Sequence, residues 1–175
     1  MTTTTTSLPL PTDPYARTPQ RHRVPRAALP VLQACLATVE RSARRAAVPV
    51  VRAAIAVLML WFGIPKVVPG GSPAEDLVVR TLDALTAGVV TGDVARLSVA
   101  VLEVTLGVAL LLGRCMPLVL LVLLGHMAGT FTPLVLFPVE TWRSVGVGTL
   151  EGQYVIKNVV VLASIVVLAG WGMRR

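Results

Sequence analysis

The sequence predicts an all-α fold: a four-helix transmembrane bundle, preceded by a cytoplasmic interfacial helix and carrying a short helix in its first outer loop. Three observations lead there. Four apolar runs are each about 20 residues long, the length that crosses a hydrocarbon core of about 30 Å at 1.5 Å per residue. With 54% hydrophobic and only 14% charged residues, and a mean hydropathy of +0.75, the 175-residue chain is too apolar for an ordinary soluble domain. Its basic residues also fall mostly at the ends of the runs.

Residues 1–26 hold a threonine run from Thr2 to Thr6 and Pro9, Pro11, Pro14, Pro19 and Pro25, with no apolar periodicity. They read as a disordered, basic cytoplasmic tail rather than a signal peptide. In residues 27–46, Leu29, Leu32, Leu36 and Val39 recur at helical spacing, and Glu40, Arg41, Arg44 and Arg45 gather at the far end. This suits an amphipathic helix in the inner interface or one packed on the protein's own inner face.

Residues 47–175 form the four-span membrane domain. The first span, 47–66, has Arg52 near its inner end and Trp61, Phe62, Pro65 and Lys66 near its outer end. In the loop that follows, Ser72 with Pro73, Glu75 and Asp76 predicts a helix start, and Leu77, Leu82 and Leu85 a partly apolar helix capping the bundle. The second span, 94–113, carries Arg96 at its outer end and Glu103 deeper in. Arg114 and Cys115 leave only a short inner turn, so the third span, 116–137, must return beside it with His126, Thr130 and Thr132. After an outer loop with Pro138, Glu140, Trp142 and Arg143, the fourth span ends at Trp171, Arg174 and Arg175.

A net charge of +7 would suggest nucleic acid for a soluble protein. Here the arginines flank apolar runs without base-stacking aromatics, so the bilayer's anionic headgroups are the expected partner and no nucleic acid is expected. The excess of Lys and Arg before the first run, at Arg114 and at the C-terminus places both termini in the cytoplasm. Cys35 and Cys115 then face a reducing compartment and lack a CxxC, which argues against a disulfide or thiol-redox centre. The membrane part offers His126 alone as an imidazole, with His22 in the tail, so no metal site is expected. No nucleotide-binding glycine loop or nucleophile elbow is present.

The residues that could carry chemistry are those that lipid alone would not tolerate. A charge at the centre of a span costs roughly 2.5 to 3.5 kcal/mol, so Glu103 must be paired or protonated. By depth Lys157 is the nearest cation and Lys66 the next; His126 is a third possible partner, and the sequence does not choose among them. Lys66, Glu103, His126, Lys157 and Asn158 are the candidate ligand-binding or proton-relay residues, supported by Glu151, Gln153, Tyr154 and Thr130. A structural ion pair would also account for Glu103, and Tyr154 reads first as an aromatic-belt residue. Ala100 and Gly107 beside Glu103, and Gly125 with Gly129 on the third span, suggest close helix approach.

The chain resembles the DoxX-like family of small four-helix membrane proteins. The matching stretches are Trp61-Phe62-Gly63-Ile64-Pro65-Lys66, Ser72-Pro73-Ala74-Glu75-Asp76-Leu77, Val101-Leu102-Glu103-Val104-Thr105-Leu106-Gly107 and Leu150-Glu151-Gly152-Gln153-Tyr154-Val155-Ile156-Lys157-Asn158. The resemblance implies a multi-pass protein of a bacterial plasma (inner) membrane, acting as an accessory subunit of a quinone-linked redox or oxidative-stress system. It implies no intrinsic cofactor but a quinone as ligand, and a membrane or cytoplasmic oxidoreductase subunit, carrying a flavin or metal, as partner; an oligomer is compatible with it. Lys66, Lys157, Asn158 and His126 would donate to quinone carbonyls and Glu103 would relay a proton. No self-contained catalytic motif is present, so the sequence leaves open whether the chain is part of an enzyme. A non-catalytic assembly or scaffold protein is the alternative, and a small-solute or proton transporter a third, weakened by the lack of repeat symmetry and broken-helix pairs.

Overall fold

The computed structural model describes residues 28–172. The basic tail (residues 1–26), His22, Arg174 and Arg175 lie outside the described residues. In chain order the elements are α1 (Ala28–Gly63), a 3-10 turn η1 (Ile64–Val67), α2 (Glu75–Leu85), α3 (Gly92–Leu112), α4 (Met116–Phe131), α5 (Pro133–Leu136), α6 (Pro138–Thr141), strands β1 (Trp142–Ser144) and β2 (Val147–Gly148), α7 (Leu150–Ile156) and α8 (Val159–Gly172). Contacts divide the chain after Glu40, and the bundle belongs to the unit from Arg41 onward. The expected interfacial helix and first span are one element, α1, with Pro49 inside it. A proline removes a single backbone donor there, and the helix continues past it.

Among the described residues, four stretches are long and apolar enough to cross a membrane: Pro30–Val67, Gly92–Leu112, Met116–Leu136 and Leu150–Trp171. Their inward faces build the core. Ile55, Ala56 and Met59 of α1 meet Leu106 and Leu110 of α3, Val119, Leu120, Leu123 and Met127 of α4, and Val161, Ile165 and Leu168 of α8. On α3 the buried residues Ala95, Arg96, Val99, Ala100, Glu103, Leu106, Gly107 and Leu110 recur every three or four positions, so one helical face carries both the packing and the charges. The outward faces stay apolar: Val57, Trp61, Val101, Val108, Leu118, Leu121, Val160 and Val166 are all exposed.

Close approach between helices falls at one of the expected glycines, Gly107, and at Gly63, which was not among them. A Cβ on Gly107 would meet the Leu60 side chain at 2.7 Å, and one on Gly63 would meet the Glu103 Cβ at 2.9 Å. Gly125 and Gly129 have nothing within 4 Å of that position. The proposed seam on α4 is therefore open space.

The third and fourth apolar stretches are interrupted near one end of the bundle. Pro133 has no N–H to donate, so α4 stops at Phe131 and Thr132 closes the last turn with a 3.1 Å bond to the Gly129 carbonyl. Between α7 and α8, Asn158 N–H bonds to Val155 O and Val160 N–H to Lys157 O, a 3-10 pattern where an unbroken α-helix was expected. Two further differences lie in the loops. Ser72 does not cap α2: the cap position is Ala74, with no side-chain bond, and Ser72 contributes its carbonyl to Glu75 N–H at 3.1 Å. A two-stranded antiparallel hairpin, Trp142 opposite Gly148 and Ser144 opposite Val147, stands where only a loop was read.

The opposite end of the bundle turns in three residues. Gly113 ends α3 in the left-handed conformation, φ 66°, with its N–H on Ala109 O, and a Cβ there would strike the Arg52 guanidinium. Cys115, φ 52°, then starts α4 ahead of Pro117.

The glycine geometry sets one expectation. Gly107→Val should lower stability by about 1 to 3 kcal/mol through overpacking against Leu60, a drop of several degrees in thermal midpoint. Gly125→Val should change it by no more than about 0.5 kcal/mol. Thermal unfolding of the purified variants in detergent checks the contrast.

Candidate functional site

The site is built outward from one ion pair. Lys66 lies on η1, and its side chain runs back along the end of α1: Nζ donates to Phe62 O at 2.8 Å and to Glu103 Oε2 at 2.7 Å. Both side chains are buried, 5% and 8% exposed. Lys66, not Lys157, is thus the cation that meets Glu103. Depth counted along the helix axis puts Lys66 too close to the interface, because the 3-10 turn and a long side chain bring its ammonium back by about a turn.

Arg96 secures the backbone of that turn. It is buried, its Nη1 donates to the Lys66 carbonyl, and Nε and Nη2 reach Asp93 Oδ1 at 3.2 and 2.8 Å, with Glu75 Oε1 3.6 Å from Nε. Glu75 in turn accepts the Gly70 N–H at 2.9 Å. The sequence reading left Arg96 at the outer end of a span without a role. The available signal was its spacing of seven from Glu103, which sets both on one face of α3.

The second oxygen of Glu103 faces His126. His126 Nε2 is 3.3 Å from Glu103 Oε1, within ion-pair range, yet the two are not aligned for a hydrogen bond and Nε2 is buried without a hydrogen-bond partner. Hydrogen bonds weaken steeply with misalignment, so the contact is one of charge rather than a bond. Tyr154 Oη is likewise buried and unpartnered. Its ring packs edge-on against Phe62, centroids 5.3 Å apart, so the half-buried Tyr154 is turned toward the cavity. Lys157 Nζ lies 3.7 Å from the Tyr154 ring centroid and 3.9 Å from that of Phe62, held by cation–π attraction. Asn158 Nδ2 donates to Thr130 Oγ1 over a long 3.4 Å, while Thr130 itself bonds to Met127 O at 2.7 Å.

These groups line a cavity of about 280 Å³. Lys66, Glu103, His126, Thr130, Tyr154, Lys157 and Asn158 all border it, against apolar walls that include Leu58, Met59, Leu102 and Met127. Glu151 and Gln153 do not. Glu151 is exposed, and Gln153 turns to the hairpin, where Nε2 donates to Gly148 O at 3.1 Å. The remaining wall is α2, whose Leu77, Val78, Thr81, Leu82 and Leu85 face the cavity; the Thr81 hydroxyl is absorbed by Leu77 O at 2.6 Å. Phe62 and α2 were not among the expected site residues.

Cavity-lining charges are two ammonium groups and one carboxylate, so the field inside favours a ligand rich in oxygen acceptors. Lys66 is neutralised by Glu103, and His126 Nε2 stands 3.3 Å from the other carboxylate oxygen without a hydrogen bond; Lys157 is held by the Phe62 and Tyr154 rings, and Tyr154 Oη has no hydrogen-bond partner. Unpartnered buried polar atoms each cost about 1 to 3 kcal/mol, which a ligand could recover.

Outside the apolar stretches, Arg80 clips α2 to α6. Its Nη1 donates to Glu140 Oε1 at 2.9 Å, Nη2 bonds Oε2, and the guanidinium stands 4.9 Å over the Phe137 ring. The hydrogen bond from Arg80 holds the Glu140 carboxyl below its ordinary value of 4.5, against a smaller opposing effect of desolvation.

Two outcomes are expected. Removing one partner of the buried pair, as in Lys66→Met or Glu103→Leu, should cost about 3 to 5 kcal/mol, while the double variant should recover most of that loss; a double-mutant cycle by thermal unfolding measures it. Because Glu140 has a lowered pKa in the folded state, its contribution is present above its ordinary value and is lost as pH falls through the depressed one. The melting difference between wild type and Glu140→Gln should therefore vanish in the acid range below that value, and should shrink with added salt.

Compared with protein-family models, curated proteins and solved structures, the chain matches none at a significant level, so its site is read from its own residues.

Proposed function

We propose that the chain is a multi-pass membrane protein whose cavity receives a quinone-like head, as an accessory subunit of a membrane redox system. The observation that carries this is the pairing of a satisfied Lys66–Glu103 bridge with three polar groups that make no hydrogen bond, His126 Nε2, Tyr154 Oη and Lys157 Nζ, on one largely apolar cavity. A quinone head is flat and apolar with two acceptor carbonyls, which matches that lining. A bound quinone supplies a two-electron, two-proton couple, its electrons coming from a partner subunit that carries a flavin or metal. The chain's residues bind and orient the head, exclude water with α2, and hold a proton near Glu103 and His126.

Membrane residence is supported by the exposed apolar faces of four helices: at most 44% of the most apolar stretch of any of them is buried. Of the 16 Lys and Arg in the sequence, Lys66, Arg80, Arg96, Arg143 and Lys157 fall toward the cavity end, while the other eleven precede the first span, stand at Arg52 and Arg114, or follow the last span. That asymmetry supports a cytoplasmic Gly113 end, with the cavity in the outer half of a plasma membrane. The resemblance to the DoxX-like family supports the redox assignment. A second reading, an assembly scaffold, is favoured by the completeness of the Lys66–Glu103 bridge, which needs no ligand to be stable.

Titration of the detergent-purified protein with a water-soluble benzoquinone separates the two. The redox reading expects saturable binding by calorimetry and a raised thermal midpoint. Lys157→Ala or His126→Ala should weaken binding by about 10-fold to 100-fold, the loss of one hydrogen bond to a charged or polar donor, while the protein remains folded. Absence of any saturable signal would leave the scaffold.

A further inference from the structure

A second hollow of about 250 Å³ lies between α1 and α8, lined by Val51, Ala54, Ile55, Val160, Val161 and Ser164. Leu58, Lys157 and Asn158 line both it and the cavity. The two spaces therefore adjoin, on either side of these three residues, where α7 gives way to α8. Their chemistry changes sharply across that junction. The cavity holds the buried, unpartnered His126 Nε2 and Tyr154 Oη, whereas the groove is apolar, since its hydroxyl, Ser164 Oγ, is spent on Val160 O at 2.8 Å. Val160 is 70% exposed and Ala54 is also exposed, so the groove is open along its length toward the surroundings of the bundle. Lys157 stands at the junction with its ammonium turned to the Phe62 and Tyr154 rings.

From this arrangement we infer that the ligand is a two-part molecule, a polar ring with a long apolar chain, and that the chain lies in the α1–α8 groove while the head occupies the cavity. The inference rests on the cavity being a binding site, and it adds the chain and its path. A free polar solute would leave the groove without a purpose; a lone acyl chain would leave the buried donors of the cavity unmet. A molecule that is half ring and half chain satisfies both. Lying open to the hydrocarbon, the groove also admits such a molecule sideways, from the bilayer, so that α2 need not open for it. Lipid tails are as apolar as the groove, so its walls align the chain more than they attract it.

The test compares a decyl-substituted benzoquinone with the same ring lacking the chain, on the full-length protein in detergent. Ser164→Phe and Ala54→Phe plug the groove without touching the cavity. The expected result is that plugging weakens the decyl compound by at least about tenfold and leaves the chainless ring unchanged. On wild-type protein, a photoreactive group at the chain's end should attach to groove residues of α1 and α8, a readout that survives if a plugged variant fails to fold. If both compounds bind and neither responds to the plug, or the label attaches elsewhere, the chain site is overturned while the cavity stands. If neither compound binds, the cavity reading has failed and this inference with it.

Discussion

Two opposite charges drawn out of water have to meet, and in this chain Lys66 and Glu103 meet at 2.7 Å with almost no exposure. Desolvating each ion costs several kcal/mol, so the arrangement holds only if geometry and extra hydrogen bonds repay it. The surrounding structure supplies both. A 3-10 turn aims the ammonium inward, the Phe62 carbonyl takes a second bond from it, and Arg96 anchors the turn's own carbonyl. Gly63 lets α1 come close enough to α3 for the pair to form, because any side chain there would press on the Glu103 Cβ. The meeting of α1 and α3 at this end of the bundle is thus an electrostatic joint, whereas the opposite half is held by ordinary apolar packing.

That division accounts for the cavity beside the ion pair. Below it, side chains from α1, α3, α4 and α8 interlock. At the ion pair the helices carry polar groups that cannot interdigitate as Leu and Met do, and α2 roofs the resulting space with its own apolar face. Breaks at Pro133 and at Lys157–Asn158 fall at the same level, so the helices that frame the space are the ones that lose regularity beside it. Irregular backbone at membrane depth is tolerated where protein buries it or where it borders a polar cavity. Both breaks border this one.

Much of the architecture was legible because it depends on length and periodicity. The four apolar stretches, the short turn at Arg114 and the helix over Glu75–Leu85 all follow from patterns that one strand of residues displays. The site was only partly legible, since partner choice depends on side-chain reach. Lys66 reaches Glu103 because its chain doubles back, which an axial rise per residue does not register. Tyr154 stands near the end of an apolar stretch but turns toward Phe62, and rotation about the helix axis cannot be read from a position along it. Gly125 and Gly129 had the spacing of a packing seam without a neighbour to pack against, while Gly63, outside any such pattern, is the glycine pressed against Glu103. The hairpin at Trp142–Gly148 was missed because two strands of two and three residues leave almost no alternation to detect.

The three-residue link at Gly113, Arg114 and Cys115 has a consequence for how the molecule assembles. So short a connection leaves α3 and α4 almost no conformational freedom to lose when they pair, because loop-closure entropy is smallest for the shortest loops. Contacts near in sequence form ahead of distant ones, so Leu110 can find Val119 and Leu120 before α1 or α8 has docked. The same short link keeps Glu103 and His126 on the two arms of one helical hairpin, with His126 Nε2 3.3 Å from Glu103 Oε1.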